Sequence, residues 1–309
     1  MKECQTLAVI LGPTASGKSS LAIWLARQLG GEIVACDSTQ VYREFTVGTG
    51  KTLPAEQEGI THHLMDVAEA DEVFTAGEYR RRALEVLAEI RHRENLPIFT
   101  AGTGLYLRAL LEGFSDTPRR SESLRERLRQ DAVQHGSVYL HRMLEKLDCE
   151  AASRIEPADA QKLIRALEIC LLSGKTATEV LQSPREKLAG VQVEKIGLLP
   201  PRNELYARIN RRVHRMIESG WIEEVRGILA SGISPSSKPF TFIGYSQLLG
   251  HIHGEMKLAD AIARIQQATR RYAKRQLTWF RKEPDVCWLP GFGDFPEIRQ
   301  RALHLLREE

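Results

Sequence analysis

Short uninterrupted apolar runs alternate with longer stretches of helical spacing along the first third of the chain. Three runs have no polar face, which is typical of buried parallel strands: 7–11 (LAVIL), 32–36 (EIVAC) and 97–101 (PIFTA). Helical spacing follows each run, and Gly30 is placed to end the first helix. Strands that alternate with helices predict a right-handed, doubly wound parallel sheet of the α/β class. In such a sheet, ligands gather at the carboxyl ends of the strands.

After Phe114 the pattern becomes helical throughout, without a convincing strand. Helices are predicted at 123–136, 137–147 and 160–174. Asp159 is placed to cap the last of these, and Gly174 to end it. Strand character returns at 193–200 and again at 285–290. The sequence therefore predicts a discontinuous α/β core and an all-helical insertion domain, with the core at 1–115 and 192–309 and the insertion at 116–191.

Composition places the chain among ordinary globular proteins and excludes few functions by itself. Of its 309 residues, 42% are hydrophobic and 27% charged, and the net charge of +3 demands no polyanionic partner. The five cysteines form no C-x-x-C pair, which favours reduced thiols over a disulfide framework or a cysteine zinc site. No apolar run reaches about 18 residues, and the amino terminus lacks the pattern of a signal peptide. We therefore expect a cytoplasmic, monomeric protein with no membrane partner.

A complete phosphate-binding pattern, G-x-x-x-x-G-K-[ST], follows the first strand run as GPTASGKS. Its glycines, Gly12 and Gly17, let backbone N–H groups curl toward phosphate oxygens, and the following helix adds positive potential at its amino end. Lys18 supplies a mobile positive charge, and the Ser19 hydroxyl is placed to bind Mg²⁺. The expected fold is therefore a P-loop NTPase-like doubly wound parallel sheet with an all-helical insertion domain.

The rest of the sequence bears on which phosphate this loop holds. P-loop ATPases also hold Mg²⁺ with an acidic residue after a second apolar strand, but LPIFTAGTG at 96–104 ends without one. No arginine finger is evident from the sequence. These two features disfavour a molecular motor and leave a small-molecule kinase open.

Asp37 follows the second strand run, where it is expected to face the glycine loop. There its carboxylate could accept a proton from an attacking nucleophile, whereas a helix cap or an indirect Mg²⁺ ligand is the alternative role. Ser38 and Gln40 add hydrogen-bonding groups, and a glutamine amide can pair with the edge of adenine.

Two adjacent histidines, His62 and His63, lie within GITHHLMD. Neighbouring residues cannot both face one metal from a helix, and no third ligand is in sequence reach. We therefore expect a structural or substrate-facing loop here in preference to a zinc site.

Basic residues cluster in the carboxyl-terminal third. The window from Arg264 to Lys282 holds seven basic residues and no acid, with Tyr272, Trp279 and Phe280 interleaved. A second cluster, opposed only by Glu204, comprises Arg202, Arg208, Arg211, Arg212 and Arg215. Two such patches in a nearly neutral chain suggest a polyanion along one face, and ordinary solvated helix faces are the alternative.

In chain order these motifs resemble one family, the tRNA dimethylallyltransferases, also called tRNA isopentenyltransferases. The shared segments are GPTASGKS, DSTQVYR, GITHHLMD, AGTGLYLRAL, DAQKLIRALE, IGYSQL and KRQLTWFR, from Leu7 to about Arg281. The resemblance implies transfer of a dimethylallyl group from dimethylallyl diphosphate to N6 of the adenosine just 3′ of the tRNA anticodon, releasing diphosphate. It also implies Mg²⁺, the tRNA anticodon stem-loop and dimethylallyl diphosphate as partners. An ATP-dependent kinase of a nucleoside or small metabolite is the alternative.

The same resemblance assigns roles to particular residues. Asp37 matches the family's catalytic base, and Lys18 would assist the leaving group. Diphosphate contacts are expected at Gly12, Thr14, Ala15, Ser16, Gly17, Lys18 and Ser19, with Ser19 also on the metal. Contacts to tRNA are expected at Asp37, Ser38, Thr39, Gln40, Thr103, Arg125, Gln161, Lys162, Leu163, Ile164, Arg165, Lys274, Arg275, Gln276, Thr278 and Arg281. The insertion would clasp the anticodon stem-loop while the adenosine leaves its stack.

The chain departs from the family pattern near IGYSQL. Many relatives have a basic residue directly after the GY pair, where this chain has Ser246, and Thr241 and Phe242 replace an Arg or Gln sometimes seen nearby. A basic contact to diphosphate or tRNA is therefore missing or supplied from elsewhere, and these positions receive no role.

Overall fold

A computed structural model of the chain describes residues 5–307. Its strands are β1 (Gln5–Leu11), β2 (Gly31–Cys36), β3 (His62–His63), β4 (Leu96–Ala101), β5 (Val191–Leu198) and β6 (Val286–Leu289). The core helices are α1 (Lys18–Leu29), α2 (Ala76–His92), α3 (Gly104–Glu112), α9 (Arg202–Glu218), α10 (Trp221–Ala230), α11 (Tyr245–Ile252), α12 (Leu258–Phe280) and α13 (Pro296–Leu305). Between residues 5 and 307, no helix combines the length and the apolar character that a bilayer crossing requires.

The strands form one parallel sheet in the order β3–β2–β4–β1–β5–β6. Leu7–Leu11 are fully buried because β1 lies between β4 and β5 and is covered by helices. Helices α1 and α13 cover one face of the sheet through an apolar cluster that includes Leu21, Leu25 and Ile298. The predicted fold class, a P-loop-like doubly wound parallel sheet with helices, is confirmed.

Three turns lie side by side at the carboxyl edge of the sheet, since β2, β4 and β1 are neighbours there. The glycine loop follows β1, Asp37 follows β2, and Gly102 follows β4. The backbone N–H groups of Gly102 and Thr103 both donate to the carbonyl oxygen of Cys36 at 3.0 Å. These bonds tie the turn after β4 to the end of β2, which fixes the surroundings of Asp37.

The expectation of a loop at the two adjacent histidines was wrong for those residues. His62 and His63 form the edge strand β3, in register with Ile33 and Val34 of β2. The Nε2 atom of His63 lies 2.6 Å from the buried carboxylate of Glu32. Hydrogen bonds, chiefly from Arg93, lower the pKa of Glu32 to about 2. Strand pairing with β2 and the contact between His63 and Glu32 stabilise β3. With only two residues, β3 is too short to be recognised as a strand from the sequence.

The chain folds into two compact units, one formed by residues up to Leu111 together with those from Ala189 onward, and the other by Glu112–Leu188. The second unit is the helical insertion, with α4 (Glu122–His135), α5 (Ser137–Leu147), α6 (Cys149–Arg154), α7 (Ala160–Ser173) and α8 (Ala177–Gln182). Its own apolar core includes Leu140, Leu144 and Leu167. As predicted, Asp159 caps α7 by accepting a hydrogen bond from the Lys162 N–H, and Gly174 ends it with a left-handed φ of 68°.

A buried ion cluster fixes the first helix of the insertion unit to α7. The carboxylate of Glu168 is fully buried and accepts a bidentate pair from Arg125 at 2.7 and 2.9 Å. It also accepts hydrogen bonds from Arg165 at 2.5 Å and from the Ser121 N–H at 2.8 Å. Burial opposes its ionisation, but these donors, Arg125 foremost, lower the pKa of Glu168 to about 2. Two predicted tRNA contacts, Arg125 and Arg165, are therefore already engaged inside their own unit.

We expect Glu168→Gln to lower the free energy of unfolding by about 3 kcal/mol, because it leaves two guanidinium groups without their carboxylate. The folded-state pKa lies below the ordinary 4.5, so this stabilisation is present above pH 4.5 and is lost as pH falls toward 2. Urea unfolding followed by circular dichroism at pH 7 and pH 3 measures both effects. The matched control is Glu126→Gln, an exposed ion pair on α4, with an expected change of about 0.5 kcal/mol or less. Equal stability of the two variants at pH 7 would contradict the prediction.

Candidate active site

A cavity of about 960 Å³ opens at the carboxyl edge of the sheet, within the core unit. Its walls are the glycine loop, the turn that begins at Asp37, the segment 46–53, and side chains from α9 and α12. Parallel α/β sheets place their ligand sites at this edge. The glycine loop and residues 37–40 therefore share one cavity with Arg275 and Gln276, although these segments lie far apart along the chain. The other predicted tRNA contacts do not line it.

The glycine loop adopts a backbone that few side chains tolerate. Gly17 has a φ of 90°, and a Cβ there would lie 2.8 Å from the Gly293 nitrogen and 2.9 Å from Asp294 Oδ1. The hydroxyl of Ser16 is buried and has no hydrogen-bond partner among the described residues, and Ser19 is exposed in the first turn of α1. The loop thus presents an unused hydroxyl and an accessible one beside a helix amino end, where an anion is favoured.

Lys18 lies at the centre of this loop. Its Nζ donates to the carbonyl oxygens of Gly12 and Pro13, each at 3.0 Å. Burial in the cavity wall lowers the pKa of Lys18 to about 8, and Arg212 lowers it further while Asp37 opposes the change. A lysine with a pKa near neutrality is well placed to respond to an arriving anion, because a negative charge favours its protonated form.

Asp37 is held by its own turn. Its Oδ1 accepts hydrogen bonds from the Thr39 N–H at 2.9 Å and the Thr39 hydroxyl at 2.7 Å. Its Oδ2 lies against Gly102, where any Cβ would collide with it. The carboxylate is thus oriented through one oxygen, and Gly102 provides the space that the other requires.

Thr103 and Gln276 join the turns of the site to each other. The Thr103 hydroxyl oxygen accepts from the Ser38 N–H at 2.9 Å and the hydroxyl donates to Ser38 Oγ at 3.2 Å. The Gln276 amide accepts from the Thr14 N–H and donates to the Gly102 carbonyl, both at 2.8 Å. With 5% exposure, Gln276 links the glycine loop to the turn beside Asp37, a role that the sequence did not indicate.

Another wall of the cavity is the loop at 46–50. Its N–H groups at 46, 47 and 48 converge on the carboxylate of Glu224 at 2.6 to 3.4 Å, which also accepts from the Tyr245 hydroxyl at 2.6 Å. The Gln40 amide donates to the Gly50 carbonyl at 3.3 Å. A Cβ on Gly50 would collide with the guanidinium of Arg212, which also lines the cavity. Burial, followed by its neighbouring arginines, lowers the pKa of Arg212. Sequence reasoning placed Arg212 only in a basic cluster and missed this position.

The remaining predicted tRNA contacts differ in exposure. Lys274, Arg275 and Thr278 on α12 are exposed, and so is Arg281 directly after it. On α7, Gln161 and Lys162 are exposed, whereas Leu163 and Ile164 pack in the core of the insertion unit. The side chains of those two residues are therefore not available at the surface.

The fold and the cavity define a P-loop α/β protein whose phosphate-binding loop faces a carboxylate, as suits group transfer from a phosphorylated substrate. A family model described as IPP transferase matches residues 40–283. A tRNA dimethylallyltransferase of Koribacter versatilis is 50% identical over 301 residues, covering 97% of this chain and 98% of that protein. Another, of Solibacter usitatus, is 49% identical over 298 residues, with 96% of each chain covered. The chain belongs to the tRNA dimethylallyltransferase family of prenyltransferases.

Solved structures agree with this assignment. The full-length tRNA isopentenylpyrophosphate transferase of Bacillus halodurans has a TM-score of 0.71 and 35% identity, covering 98% of this chain and 95% of that one. A eukaryotic dimethylallyltransferase acting on tRNA has a TM-score of 0.84 and 26% identity, covering 97% of this chain and 78% of that one. The family predicted from the ordered motifs is confirmed, and the alternative of an ATP-dependent kinase is not favoured.

Proposed function

We propose that this protein transfers the dimethylallyl group of dimethylallyl diphosphate to N6 of the adenosine 3′-adjacent to the tRNA anticodon, and releases diphosphate. The observation that carries the proposal is a single cavity shared by the glycine loop, Lys18 and the Asp37 carboxylate. Membership of the tRNA dimethylallyltransferase family supports it. The loop would hold the diphosphate, and the carboxylate would face the acceptor.

In this mechanism the N6 lone pair of adenine forms a bond to the allylic carbon while the carbon–oxygen bond to diphosphate breaks. The bonding electrons leave with the diphosphate oxygen, and the proton of N6 passes to Asp37. Adenine N6 is a weak nucleophile because its lone pair is delocalised into the ring, so proton removal assists the attack. The two hydrogen bonds from Thr39 hold the carboxylate in place without consuming its second oxygen.

Negative charge grows on the leaving diphosphate, and the groups that face it would stabilise it. Lys18 and Arg212 supply positive charge, and Ser16 supplies its unpartnered hydroxyl. The Thr14 N–H is bonded to Gln276, so the part of Thr14 that remains for the diphosphate is its side chain. We assign the other loop residues, Gly12, Ala15, Gly17 and Ser19, to the same ligand.

The donor set around the loop fits Mg²⁺. Among the described residues there is no group of three or more acidic, histidine or cysteine side chains that could hold a metal alone. Mg²⁺ commonly keeps few protein ligands and binds substrate phosphates instead. The exposed Ser19 hydroxyl and the substrate diphosphate would hold the ion, which would neutralise charge on the leaving group.

We assign tRNA recognition to polar groups around the cavity and to exposed basic residues. Ser38, Thr39, Gln40 and Thr103 lie beside Asp37, where the extruded adenosine would enter. Lys274, Arg275 and Arg281 would meet backbone phosphates. On the insertion unit, Gln161 and Lys162 are the exposed candidates for clasping the anticodon stem-loop.

The deciding experiment incubates purified protein with unmodified tRNA, Mg²⁺ and radiolabelled dimethylallyl diphosphate in ATP-free reagents. Label is expected in tRNA, on N6 of the adenosine beside the anticodon, when the nucleosides are separated and analysed by mass. A lack of label together with ATP turnover stimulated by a small acceptor would overturn the proposal in favour of a kinase.

We expect tRNA affinity to fall steeply with salt, with a log–log slope of several units, because bound phosphates release their counterions. Lys274→Ala should reduce that slope by about 1 and leave pyrophosphate binding unchanged. Filter binding at four salt concentrations measures the slope. Lys257→Ala, an exposed lysine outside both basic clusters, is the matched control and should leave the slope as it is. If the tRNA affinity of the parent did not change with salt, the basic clusters would not bind tRNA phosphates.

A further inference from the structure

Trp279 is a large aromatic side chain left partly open to solvent near the end of α12. Its surface is 41% exposed, although indole rings are usually well buried. The five-membered part of the ring lies directly against Gly104, where any Cβ would collide with Cδ1 and Nε1. Because Gly104 has no Cβ, the indole ring can lie close to the start of α3.

The ring belongs to a face of α12 that follows the turn after β4. Tyr272, Gln276 and Trp279 are spaced as i, i+4 and i+7, which places them on one side of a helix. The first two donate to the Gly102 carbonyl at 3.2 and 2.8 Å. Gly102 in turn borders the Asp37 carboxylate. The Trp279 ring contacts Gly104, and Gly104 follows Gly102 by two residues. The ring therefore lies close to the turn that borders Asp37, the proposed proton acceptor.

The surroundings of Trp279 are basic. Lys274, Arg275, Arg281 and Lys282 are exposed, and none has an acidic side chain within salt-bridge distance among residues 5–307. The Arg275 guanidinium lies 5.7 Å over the Tyr272 ring, and no carboxylate of the described residues neutralises it or the other three. Exposed aromatic rings among such cations hold single-stranded nucleic acid, because the cations follow the backbone and the ring stacks on a base.

We propose that Trp279 is a stacking platform for the base next to the target adenosine in the tRNA anticodon loop. The inference rests on the proposed function, since extruding the adenosine leaves its neighbour without a stacking partner on one side. The indole replaces that lost partner beside the site. Gly104 sets the position of the platform relative to Asp37.

The test uses three variants of the full chain. Trp279→Leu removes the aromatic plane but keeps apolar bulk, and Trp279→Phe keeps a smaller plane. Gly104→Ala leaves the indole itself unchanged but displaces it, because the added Cβ collides with the ring. Alanine favours helix at the start of α3, which offsets part of the cost of moving the ring. Pyrophosphate affinity and the thermal midpoint are measured for each variant to separate recognition from folding.

We expect Trp279→Leu and Gly104→Ala each to weaken tRNA binding roughly tenfold, within the range of about 5-fold to 160-fold known for base stacking on aromatic side chains. The double variant should bind no more weakly than either single one, and Trp279→Phe should retain most of the affinity. The pyrophosphate affinity of all variants should match the parent.

Tryptophan fluorescence gives an independent readout. Binding of tRNA should quench emission in the parent and in Trp288→Phe, a control on β6, but much less in Trp279→Phe. Trp24 and Trp221 also line the cavity, so some quenching is expected to remain in Trp279→Phe. Parent-like tRNA binding by Trp279→Leu, or equal quenching in Trp279→Phe and the parent, would overturn the platform.

The two proposals fail differently. If the parent labels tRNA and the Trp279 variants bind normally, the platform is wrong and the transferase stands. If the parent binds tRNA with quenching but never labels it, the proposed function is wrong and the stacking contact stands.

Discussion

Asp37→Asn is expected to reduce turnover on the order of 10²-fold or more, while tRNA affinity changes far less. Asparagine keeps the oxygen that accepts both hydrogen bonds from Thr39, so the turn should hold its shape. It replaces the second carboxylate oxygen by an NH₂ group, which cannot accept the N6 proton. Only the chemical step should therefore suffer.

Single-turnover rates with saturating dimethylallyl diphosphate measure that step directly, and filter binding measures tRNA affinity beside it. Asp71→Asn, an exposed carboxylate that does not line the cavity, is the matched control and should keep the parent rate. If Asp37→Asn turned over within a few-fold of the parent, Asp37 would only orient the turn or the metal.

The parts of this site that sequence could predict are those specified by local chemistry. The buried strands can be recognised in the sequence because both faces of a central parallel strand must be apolar, as at Leu7–Leu11. The glycine loop is specified by its backbone, since Gly17 must take a positive φ. The cap at Asp159 depends on a residue three positions away. Each signal lies within one short window.

Gln276 shows where that approach ends. Its match to a tRNA-contacting segment of the family implied contact with tRNA. In the structure its amide is satisfied by partners 262 and 174 residues away along the chain. A hydrogen bond of that kind leaves no trace in the spacing of neighbouring residues, so only the fold reveals that Gln276 positions the glycine loop.

The wall formed by 46–50 illustrates the same limit. A carboxylate on α10, Glu224, gathers three N–H groups of a loop that precedes it by more than 170 residues. Nothing in the α10 sequence separates Glu224 from an ordinary solvated glutamate. Arg212 was likewise counted among surface cations. Helical spacing predicts which side of α9 carries Arg212, but it does not predict that this side lines the cavity.

Lys18→Ala is expected to cost roughly 3 kcal/mol of transition-state stabilisation, about 10²-fold in rate, by analogy with loss of one donor to a developing oxyanion. In the proposed function Lys18 contacts the diphosphate, so its removal should also weaken pyrophosphate binding. Lys257→Ala, exposed and far from the loop in sequence, is the matched control. A Lys18→Ala rate within a few-fold of the parent would mean that Arg212 or the metal carries the leaving-group charge alone.

The pH dependence identifies the charge of Lys18 itself. Its pKa of about 8 lies below the ordinary 10.5, and a bound diphosphate raises it by favouring the charged form. Pyrophosphate affinity should therefore be steady below pH 8 and fall by up to tenfold per unit above it, until the pKa of the bound state is passed. Lys18→Ala lacks the titrating amine and cannot show that fall. The pH dependence of its pyrophosphate affinity therefore reports the ionisation of pyrophosphate itself, and it is subtracted from the parent profile. Isothermal titration from pH 7 to 9.5 makes the comparison, and parallel profiles for parent and variant would show that Lys18 does not titrate in this range.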